Sequence, residues 1–230
     1  MNRKNLFKDF RSFYKSNNKF GMTSFDSIFH KMAEMRGGGY INPYIIKEAE
    51  KDQTQLDIFS ELMTKRQIFL GTEVNSDSMN IIVSQLLYLD SIETKDITMY
   101  INSPGGEVYS GNSCLDCMDF IESDVRTICT GLAASFGAMI LLNGTKGKRA
   151  ALRRATIMIH QPLGGAQGQA TEIEITCNEI MRLKKVLYDT IVEKTGKTYE
   201  EVEKACDRDN YMSAQDALEF GLIDEVIIKR

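Results

Sequence analysis

The chain has 230 residues, of which 43% are apolar and 26% are charged, a balance typical of a globular protein with a real core. The net charge is −4 and no basic stripe interleaved with aromatic residues appears, so the composition does not indicate a nucleic-acid-binding protein. Five cysteines, an odd number, lie mostly in apolar segments. They predict free thiols in a reducing compartment, and we expect a cytoplasmic protein.

The N-terminal segment differs in charge from the rest of the chain. Residues 1–40 carry eight Lys/Arg and three Asp/Glu, a net +5, so the remaining residues sum to −9. This contrast, together with three consecutive glycines near its end, predicts a basic extension or propeptide over 1–39 and a separate domain over 40–230. No apolar stretch follows the basic residues, as it would in a signal peptide. The composition also has features of an organellar transit peptide, although Asp9 and Asp26 argue against one.

From residue 56 onward, helix and strand patterns alternate, which predicts an α/β protein with a mainly parallel sheet. Early in the chain, the predicted elements are a helix at Leu56–Thr64, a strand at Gln67–Leu70, a helix behind the cap candidate Asn75, a strand at Asp96–Asn102, a helix at Glu107–Ile121 and a strand at Val125–Thr130. Later elements are a helix at Ser135–Leu142, a strand at Thr156–His160, helices at Tyr199–Cys206 and around Ala214–Phe220, and a strand at Ile223–Ile228.

One long helix is predicted over 171–194. Thr171 and Glu174 fit a capping box at its start, and Gly196 is expected to stop it. An apolar stripe at helical spacing runs along it, formed by Ile173, Cys177, Ile180, Leu187 and Ile191.

Two other patterns indicate neither a membrane segment nor a cofactor site. Thr127–Thr145 is uncharged and as long as a membrane span, but its glycines and polar residues favour a buried core segment. Cys114 and Cys117 form a lone C-x-x-C inside a predicted helix, without a second pair or a nearby histidine. We therefore expect no metal and no cofactor.

Residues that could carry chemistry lie at three strand ends. In the segment 101–106, a strand runs into Pro-Gly-Gly, whose backbone N–H groups can point into open space as in an oxyanion hole or a phosphate cradle; a tight turn is the alternative. Ser135 lies among small residues where a strand becomes a helix, as in a nucleophile elbow, although a serine packed in a small-residue core would look the same.

The third strand end carries His160, one of only two histidines; the other, His30, lies in the basic extension. An apolar strand that delivers a histidine to a Gly- and Pro-containing loop suits a general base, and a buried structural histidine is the alternative. The orienting carboxylate would then follow, and the residues alone leave Asp207 and Asp209 as candidates. The order Ser, His, Asp disfavours an α/β-hydrolase, in which the acid precedes the histidine.

Together, five segments closely resemble the proteolytic subunit of the Clp protease family, colinearly over about residues 42–230. They are INSPGGEVYSG (101–111), TGLAASFGA (130–138), KGKR (146–149), MIHQPLGGAQGQATEIEI (158–175) and DRDNYMSAQDALEFGLIDEV (207–226).

This resemblance implies a ClpP/crotonase-type fold of stacked β-β-α units, with the long helix 171–194 as a protruding handle. It implies that Ser135 is the nucleophile, His160 the general base and Asp209 the residue that orients the histidine. Backbone N–H groups of Gly106 and Phe136 would form the oxyanion hole. Phe136 stands where methionine is common in the family, which puts the shape of the adjoining pocket in question.

The resemblance also implies substrates and partners. Substrate-binding residues would be Gly105, Glu107, Val108, Gln161, Pro162, Leu163, Gly164 and Gly165. Tyr100 and Phe120 would contribute to the docking site of a Clp-type AAA+ unfoldase. The implied enzyme is a serine endopeptidase that degrades unfolded polypeptides, in an ATP-dependent manner through its partner, inside two stacked heptameric rings.

Two other functions fit parts of the pattern. A crotonase-fold acyl-CoA enzyme shares the paired-amide oxyanion hole but needs no Ser-His-Asp set, and no CoA-binding pattern is recognisable here. A non-catalytic Clp ring subunit would usually have lost a triad residue, whereas this chain retains all three types.

Overall fold

The computed structural model describes residues 44–49 and 52–229, so the predicted extension over 1–39 lies outside the described residues. The chain divides into two compact units. The described part of the first contains a hairpin of antiparallel strands β1 (Tyr44–Ala49) and β2 (Asp52–Asp57), followed by helix α1 (Ile58–Thr64). The helix prediction was wrong at its start, because the last residues of β2 continue the hairpin and the side chain of Asp57 caps α1.

The second unit is built on a seven-stranded sheet. Its strands are β3 (Gln67–Leu70), β4 (Ile97–Ser103), β5 (Val125–Ala134), β6 (Arg149–Leu152), β7 (Thr156–Ile159), β8 (Asn210–Ser213) and β9 (Glu225–Ile227). Strand order is β3-β4-β5-β6-β9, and β7 pairs with both β5 and β8. The β4–β5, β5–β6, β5–β7 and β6–β9 pairs are parallel and β7–β8 is antiparallel, so the prediction of a mainly parallel sheet is confirmed.

Strand β5 is the longest strand of this sheet and pairs with β4 and also, in succession along its length, with β6 and β7. Its residues 127–129 pair with β6, and its residues 132–134 pair with β7. The predicted end at Thr130 was wrong by four residues, because pairing with β7 holds Gly131–Ala134 extended despite their low strand propensity. The extension carries the chain directly to Ser135.

The helices of this unit enclose the sheet and supply much of its core. They are α2 (Ser76–Ile92), α3 (Val108–Phe120), α4 (Phe136–Leu142), α5 (Ala170–Thr195), α6 (Tyr199–Cys206) and α7 (Ala214–Phe220). The predicted cap of α2 is confirmed, since Asn75 Oδ1 accepts a hydrogen bond from the N–H of Ser78 at 2.9 Å. Every residue of α4 is buried, so this short helix forms part of the core.

Helix α5 has 26 residues and is about 39 Å long at 1.5 Å per residue. It begins earlier than predicted, because the N–H of Gln169 bonds to the carboxylate of Glu172, and this pair replaces the predicted box of Thr171 and Glu174. Gly196 ends it with φ 75°, as predicted.

Only the second half of the α5 apolar stripe is buried within the described chain. Leu187 and Ile191 are buried, whereas Ile173 and Cys177 on the first two turns are exposed. The first half of α5 therefore carries an apolar face that the rest of the described chain does not cover, as expected for a protruding helix. Within the described residues no helix is both long and apolar enough to cross a bilayer.

Candidate active site

Ser135 occupies the tight junction between β5 and α4. Its backbone has φ 52° and ψ −121°, a left-handed conformation that is strained for a residue other than glycine. Neighbouring hydrogen bonds hold this geometry: the Ser135 N–H donates to Met158 O at 2.8 Å, and the Ala138 N–H donates to Ser135 O at 3.0 Å. A strained strand-to-helix turn of this kind presents the serine hydroxyl at the end of the sheet, as in a nucleophile elbow.

The three predicted triad residues form one hydrogen-bonded chain. Ser135 Oγ lies 2.8 Å from His160 Nε2, and His160 Nδ1 lies 2.9 Å from Asp209 Oδ1. A neutral imidazole whose Nδ1–H is bound by a carboxylate has its Nε2 lone pair free to accept a proton from the serine. The arrangement can therefore generate a nucleophilic alkoxide.

Sheet register explains why residues so distant in sequence meet. In the parallel β5–β7 pair, Ala134 is opposite Met158, so Ser135 and His160 emerge from the same end of neighbouring strands. In the antiparallel β7–β8 pair, Ile159 is opposite Asn210, which places His160 beside Asp209. The other acidic candidate from the sequence, Asp207, offers only its backbone carbonyl here, which accepts a hydrogen bond from the Gln161 side chain at 2.8 Å.

Gly105 and Gly106 form a turn against the nucleophile, with φ 87° and 152°. The Val74 N–H donates to Gly105 O and the Glu107 N–H donates to Val74 O, each at 2.8 Å, and these bonds leave the intervening Gly106 N–H without an acceptor in this stretch of the described chain. A Cβ at Gly106 would overlap Val74 O, so no other residue fits this turn unchanged.

Phe136 supplies the second predicted N–H group. As the first residue of α4, it has no intrahelical acceptor for its backbone N–H. A Cβ at Gly105 would lie 2.8 Å from this Phe136 nitrogen and 2.8 Å from Ser135 Cβ, so the glycine turn is in direct contact with the elbow. The two predicted oxyanion donors thus belong to adjoining segments beside the serine.

A cavity of about 280 Å³ adjoins these groups and is largely apolar on its inner side. Ser135, His160, Gly106 and Phe136 lie at its reactive side. The remaining lining residues are Pro104, Val108, Met139, Met158, Ile159, Pro162, Leu163, Leu187, Tyr188 and Ile191. A cavity of this size and lining beside Ser135 can hold one apolar side chain of a peptide.

The predicted substrate-binding residues have different environments. Val108, Pro162 and Leu163 line the cavity, and Leu163 is 84% exposed at its mouth. Gly105 is buried against the elbow, and Glu107 is the exposed residue just before α3, where its carboxylate accepts a hydrogen bond from the Ser110 hydroxyl.

The remaining predicted residues follow His160 in an irregular segment. The Gln161 N–H donates to Cys206 O at 2.6 Å, which anchors the start of this segment. Gly164 packs closely on Ile180 of α5, and nothing lies within 4 Å of a Cβ placed on Gly165. Beyond Gln161 and Pro162, the segment from Leu163 to Gln169 is exposed and has no regular secondary structure.

The predicted docking residues lie on other elements. Tyr100 on β4 stacks on Phe69 of β3, with ring centroids 5.0 Å apart, and Phe120 is the exposed last residue of α3. Sequence reasoning missed Phe69 as a neighbour of Tyr100, because the two residues meet only through the pairing of β3 with β4, which the local sequence does not reveal.

Sequence reasoning also missed most of the cavity wall. Met139 and Met158 belong to segments recognised only for their neighbours Ser135 and His160. Leu187 and Ile191 were identified as an apolar stripe, but helical spacing does not tell whether a stripe faces packed core or a cavity. Tyr188 gave no signal at all, since a tyrosine next to a charged residue on a long helix is ordinary surface composition.

Cys114 and Cys117, the C-x-x-C pair of the sequence, are both buried in α3 as free thiols. Burial raises the pKa of Cys114 to about 12 and that of Cys117 to about 11, so both are protonated at neutral pH. Among the residues that the structure describes, no group of three or more His, Cys, Asp or Glu side chains could hold a metal ion.

Comparisons with known proteins identify the family of the chain. The family model described as Clp protease matches residues 50–230. The ATP-dependent Clp protease proteolytic subunit of Bacteroides fragilis is 55% identical over 193 residues, which cover 84% of this chain and 93% of that protein. The corresponding subunit of Bacteroides thetaiotaomicron is 55% identical over 193 residues, covering 84% and 88% of the two chains. That of Porphyromonas gingivalis is 53% identical over 191 residues, covering 83% and 86%. The chain therefore belongs to the Clp protease family, has the α/β fold of that family, and is a serine peptidase.

Proposed function

We propose that this protein is an endopeptidase whose nucleophile is Ser135, whose general base is His160 and whose orienting acid is Asp209. The observation that carries the proposal is the continuous hydrogen-bonded chain of 2.8 and 2.9 Å from the serine through the histidine to the carboxylate. Hydroxyl, imidazole and carboxylate in this order are what an activated serine nucleophile requires.

The reaction runs in two halves. Ser135 Oγ attacks the scissile carbonyl carbon while His160 Nε2 takes its proton, and the N–H groups of Gly106 and Phe136 stabilise the resulting oxyanion. When the intermediate collapses, the imidazolium gives its proton to the leaving amine, and the acyl group stays on the serine. Water then repeats the sequence as nucleophile and releases the carboxylate product.

The substrate is an extended, unfolded polypeptide. Its backbone pairs with the edges offered after Gly106 and along Gln161–Gly165, which include the predicted substrate-binding residues. The residue before the scissile bond places its side chain in the cavity of about 280 Å³, whose wall of Met139, Met158 and Leu187 favours apolar side chains such as leucine and methionine.

A partner supplies the unfolding. Relatives of this chain are named ATP-dependent, yet Gly144–Arg149, the nearest approach to a phosphate-binding loop in this chain, lacks the P-loop spacing and its Ser/Thr. Opening a stable domain costs about 5–15 kcal/mol, which peptide hydrolysis alone does not provide. We therefore assign unfolding to a Clp-type AAA+ unfoldase that docks near Tyr100 and Phe120.

Enclosure of the active sites inside an oligomer would restrict the reaction to polypeptides that the unfoldase delivers. The uncovered apolar face on the first half of α5 supports assembly into two stacked heptameric rings joined through this helix. The chamber would operate in the cytoplasm, where free buried thiols such as Cys114 persist.

The test uses a short fluorogenic peptide and a folded, tagged reporter protein. The purified enzyme should cleave the peptide and leave the reporter intact until a Clp-type unfoldase and ATP are added. Tyr100→Ala should lower reporter degradation more than peptide hydrolysis, because it removes part of the docking surface. Rapid ATP-independent degradation of the folded reporter would show that the active site is open to solvent, and the enclosed chamber would have to be abandoned.

The extension over 1–39 is proposed to be removed by the enzyme itself. The charge break and the three glycines at its end support a separate, cleavable segment. Intact mass spectrometry should show a shortened wild-type chain, whereas the Ser135→Ala variant should retain the extension. Equal full-length masses for both proteins would rule out self-processing.

A further inference from the structure

Gly111, the fourth residue of α3, lies directly against the ring of Phe136. A Cβ placed on Gly111 would overlap Cδ1 and Cε1 of that ring and would lie 2.7 Å from its Cγ. Both residues are buried, and Phe136 is only 2% exposed. The ring therefore occupies space that is available only because residue 111 has no side chain.

Phe136 is also one of the residues that line the cavity, whereas Gly111 is not. Phe136 therefore contacts α3 at Gly111 and also borders the space proposed for the substrate side chain. Protein interiors are close-packed, so a ring pushed away from α3 would move toward the space that is not already filled, which is the cavity. Any side chain at position 111 would thereby reduce the cavity volume without touching a substrate.

We propose that Gly111 is a positioning residue that sets the substrate specificity of the enzyme by fixing the depth to which Phe136 fills the cavity. This inference rests on the proposed function, because it takes the cavity to hold the side chain that precedes the scissile bond. It assigns a role in specificity to a glycine that contacts neither the triad nor the peptide.

The test measures kcat/KM for a peptide series that differs only before the scissile bond, with alanine, leucine, methionine or phenylalanine at that position. Gly111→Ala should lower kcat/KM for leucine and methionine relative to alanine by about 10-fold or more, the usual cost of a methylene that no longer fits. Adding Phe136→Leu to Gly111→Ala should restore the preference for the larger side chains, because the shorter side chain relieves the overlap. Phe136→Leu alone should shift the preference toward phenylalanine.

Matched controls separate this effect from a general loss of structure. Gly71→Ala introduces the same change where nothing lies within 4 Å of the new Cβ, and it should leave the ratios of the peptide series unchanged. Gly111→Ala also raises the intrinsic helix propensity of its position. A loss of stability in this variant would therefore come from the overlap with Phe136 and not from helix propensity. If Gly111→Ala does not fold but the double variant does, the rescue supports the contact between residue 111 and Phe136. If neither folds, the kcat/KM ratios of Phe136→Leu decide whether residue 136 limits the cavity.

The inference and the proposed function fail in different ways. If the wild type cleaves the series and Gly111→Ala, folded and active, keeps the wild-type ratios, the positioning role is wrong and the peptidase assignment stands. Ratios for Phe136→Leu that do not shift toward phenylalanine would overturn it as well. If the wild type cleaves no peptide of the series, the proposed function fails, and the inference fails with it.

Discussion

Asp209 Oδ1 lies 2.9 Å from His160 Nδ1, yet the Asp209 side chain is 58% exposed whereas that of His160 is 14% exposed. The carboxylate therefore stands at the solvent edge of the site, where water screens its charge. Its position is fixed by the pairing of Ile159 with Asn210 in the β7–β8 ladder. A screened carboxylate can still hold the imidazole in one tautomer, so we expect Asp209 to act mainly by orienting His160.

Asp209→Asn should lower kcat about 10²- to 10⁴-fold with little change in KM, because an amide can stabilise the wrong tautomer of His160. Asp207→Asn is the matched control. That residue is two positions away, and its backbone carbonyl, not its side chain, is used in the site. Its kcat should stay within about twofold of wild type, since surface substitutions outside a site have small effects. Comparable activity of the two variants in peptide hydrolysis would contradict the orienting role.

Ser135→Ala and His160→Ala should each reduce peptide hydrolysis to the same residual rate, and combining them should reduce it no further, because nucleophile and base act as a unit. Size-exclusion chromatography should show unchanged assembly, since neither substitution introduces bulk. A double variant markedly slower than either single variant would mean that the two residues act independently.

Gly106→Ala should lower kcat about 10²- to 10³-fold, the usual effect of losing one oxyanion donor. The added Cβ overlaps Val74 O, so the turn must shift and carry the Gly106 N–H away from the serine. Steady-state kinetics with a short peptide measures this directly. Gly71→Ala, which meets nothing within 4 Å, should keep wild-type kcat. An active Gly106→Ala enzyme with wild-type kcat would place the oxyanion elsewhere.

Asp224→Asn should lower the free energy of unfolding by about 3 kcal/mol, because it leaves the buried guanidinium of Arg149 without its counter-charge. Asp224 accepts hydrogen bonds from Arg149 Nε at 2.9 Å and Nη2 at 2.6 Å, and from the Gly147 N–H at 2.8 Å. Asp189→Asn, which breaks an exposed pair with Lys185, should change stability by less than about 1 kcal/mol. Denaturant titration of the three proteins at neutral pH measures the difference.

The same pair predicts a pH dependence. Burial alone would raise the pKa of Asp224, but hydrogen bonds from Arg149 outweigh it and hold the pKa below its ordinary value of 3.8. A lowered folded-state pKa gives stability that is complete above the unfolded-state value and is lost as the pH falls through the folded-state value. The stability difference between wild type and Asp224→Asn should therefore be constant near neutral pH and shrink below about pH 4. A difference that grows on acidification would contradict this account.

Local patterns that combine strand, loop and small residues made Ser135, His160 and the glycine turn candidates, each with a purely structural alternative. The acid could not be chosen between Asp207 and Asp209 from the residues alone, because the choice depends on strand register. Strand β8 was not predicted: it is four residues long and follows a polar turn, and it exists through its pairing with β7.

Other differences have similar physical causes. Strand β6 was not predicted, because it is short and begins with the charged Arg149, whose buried guanidinium bonds to Asp224 and to the Lys194 carbonyl. Helix α5 starts at Ala170 because Gln169 and Glu172 form the capping box. Thr171 and Glu174 have the same spacing and equally suitable side chains, so the sequence alone could not decide between the two starts. Contacts between distant segments, such as the contact of the Phe136 ring with Gly111, cannot be predicted from the local sequence of either segment.

Labelling with a fluorophosphonate probe tests the central claim most directly, because such probes react only with an activated serine hydroxyl. Mass spectrometry of the digested wild-type protein should show one adduct per chain, on Ser135. The Ser135→Ala variant should show none, and His160→Ala should label far more slowly. An unlabelled wild type, or an adduct that persists in Ser135→Ala, would contradict the assignment of Ser135 as the nucleophile.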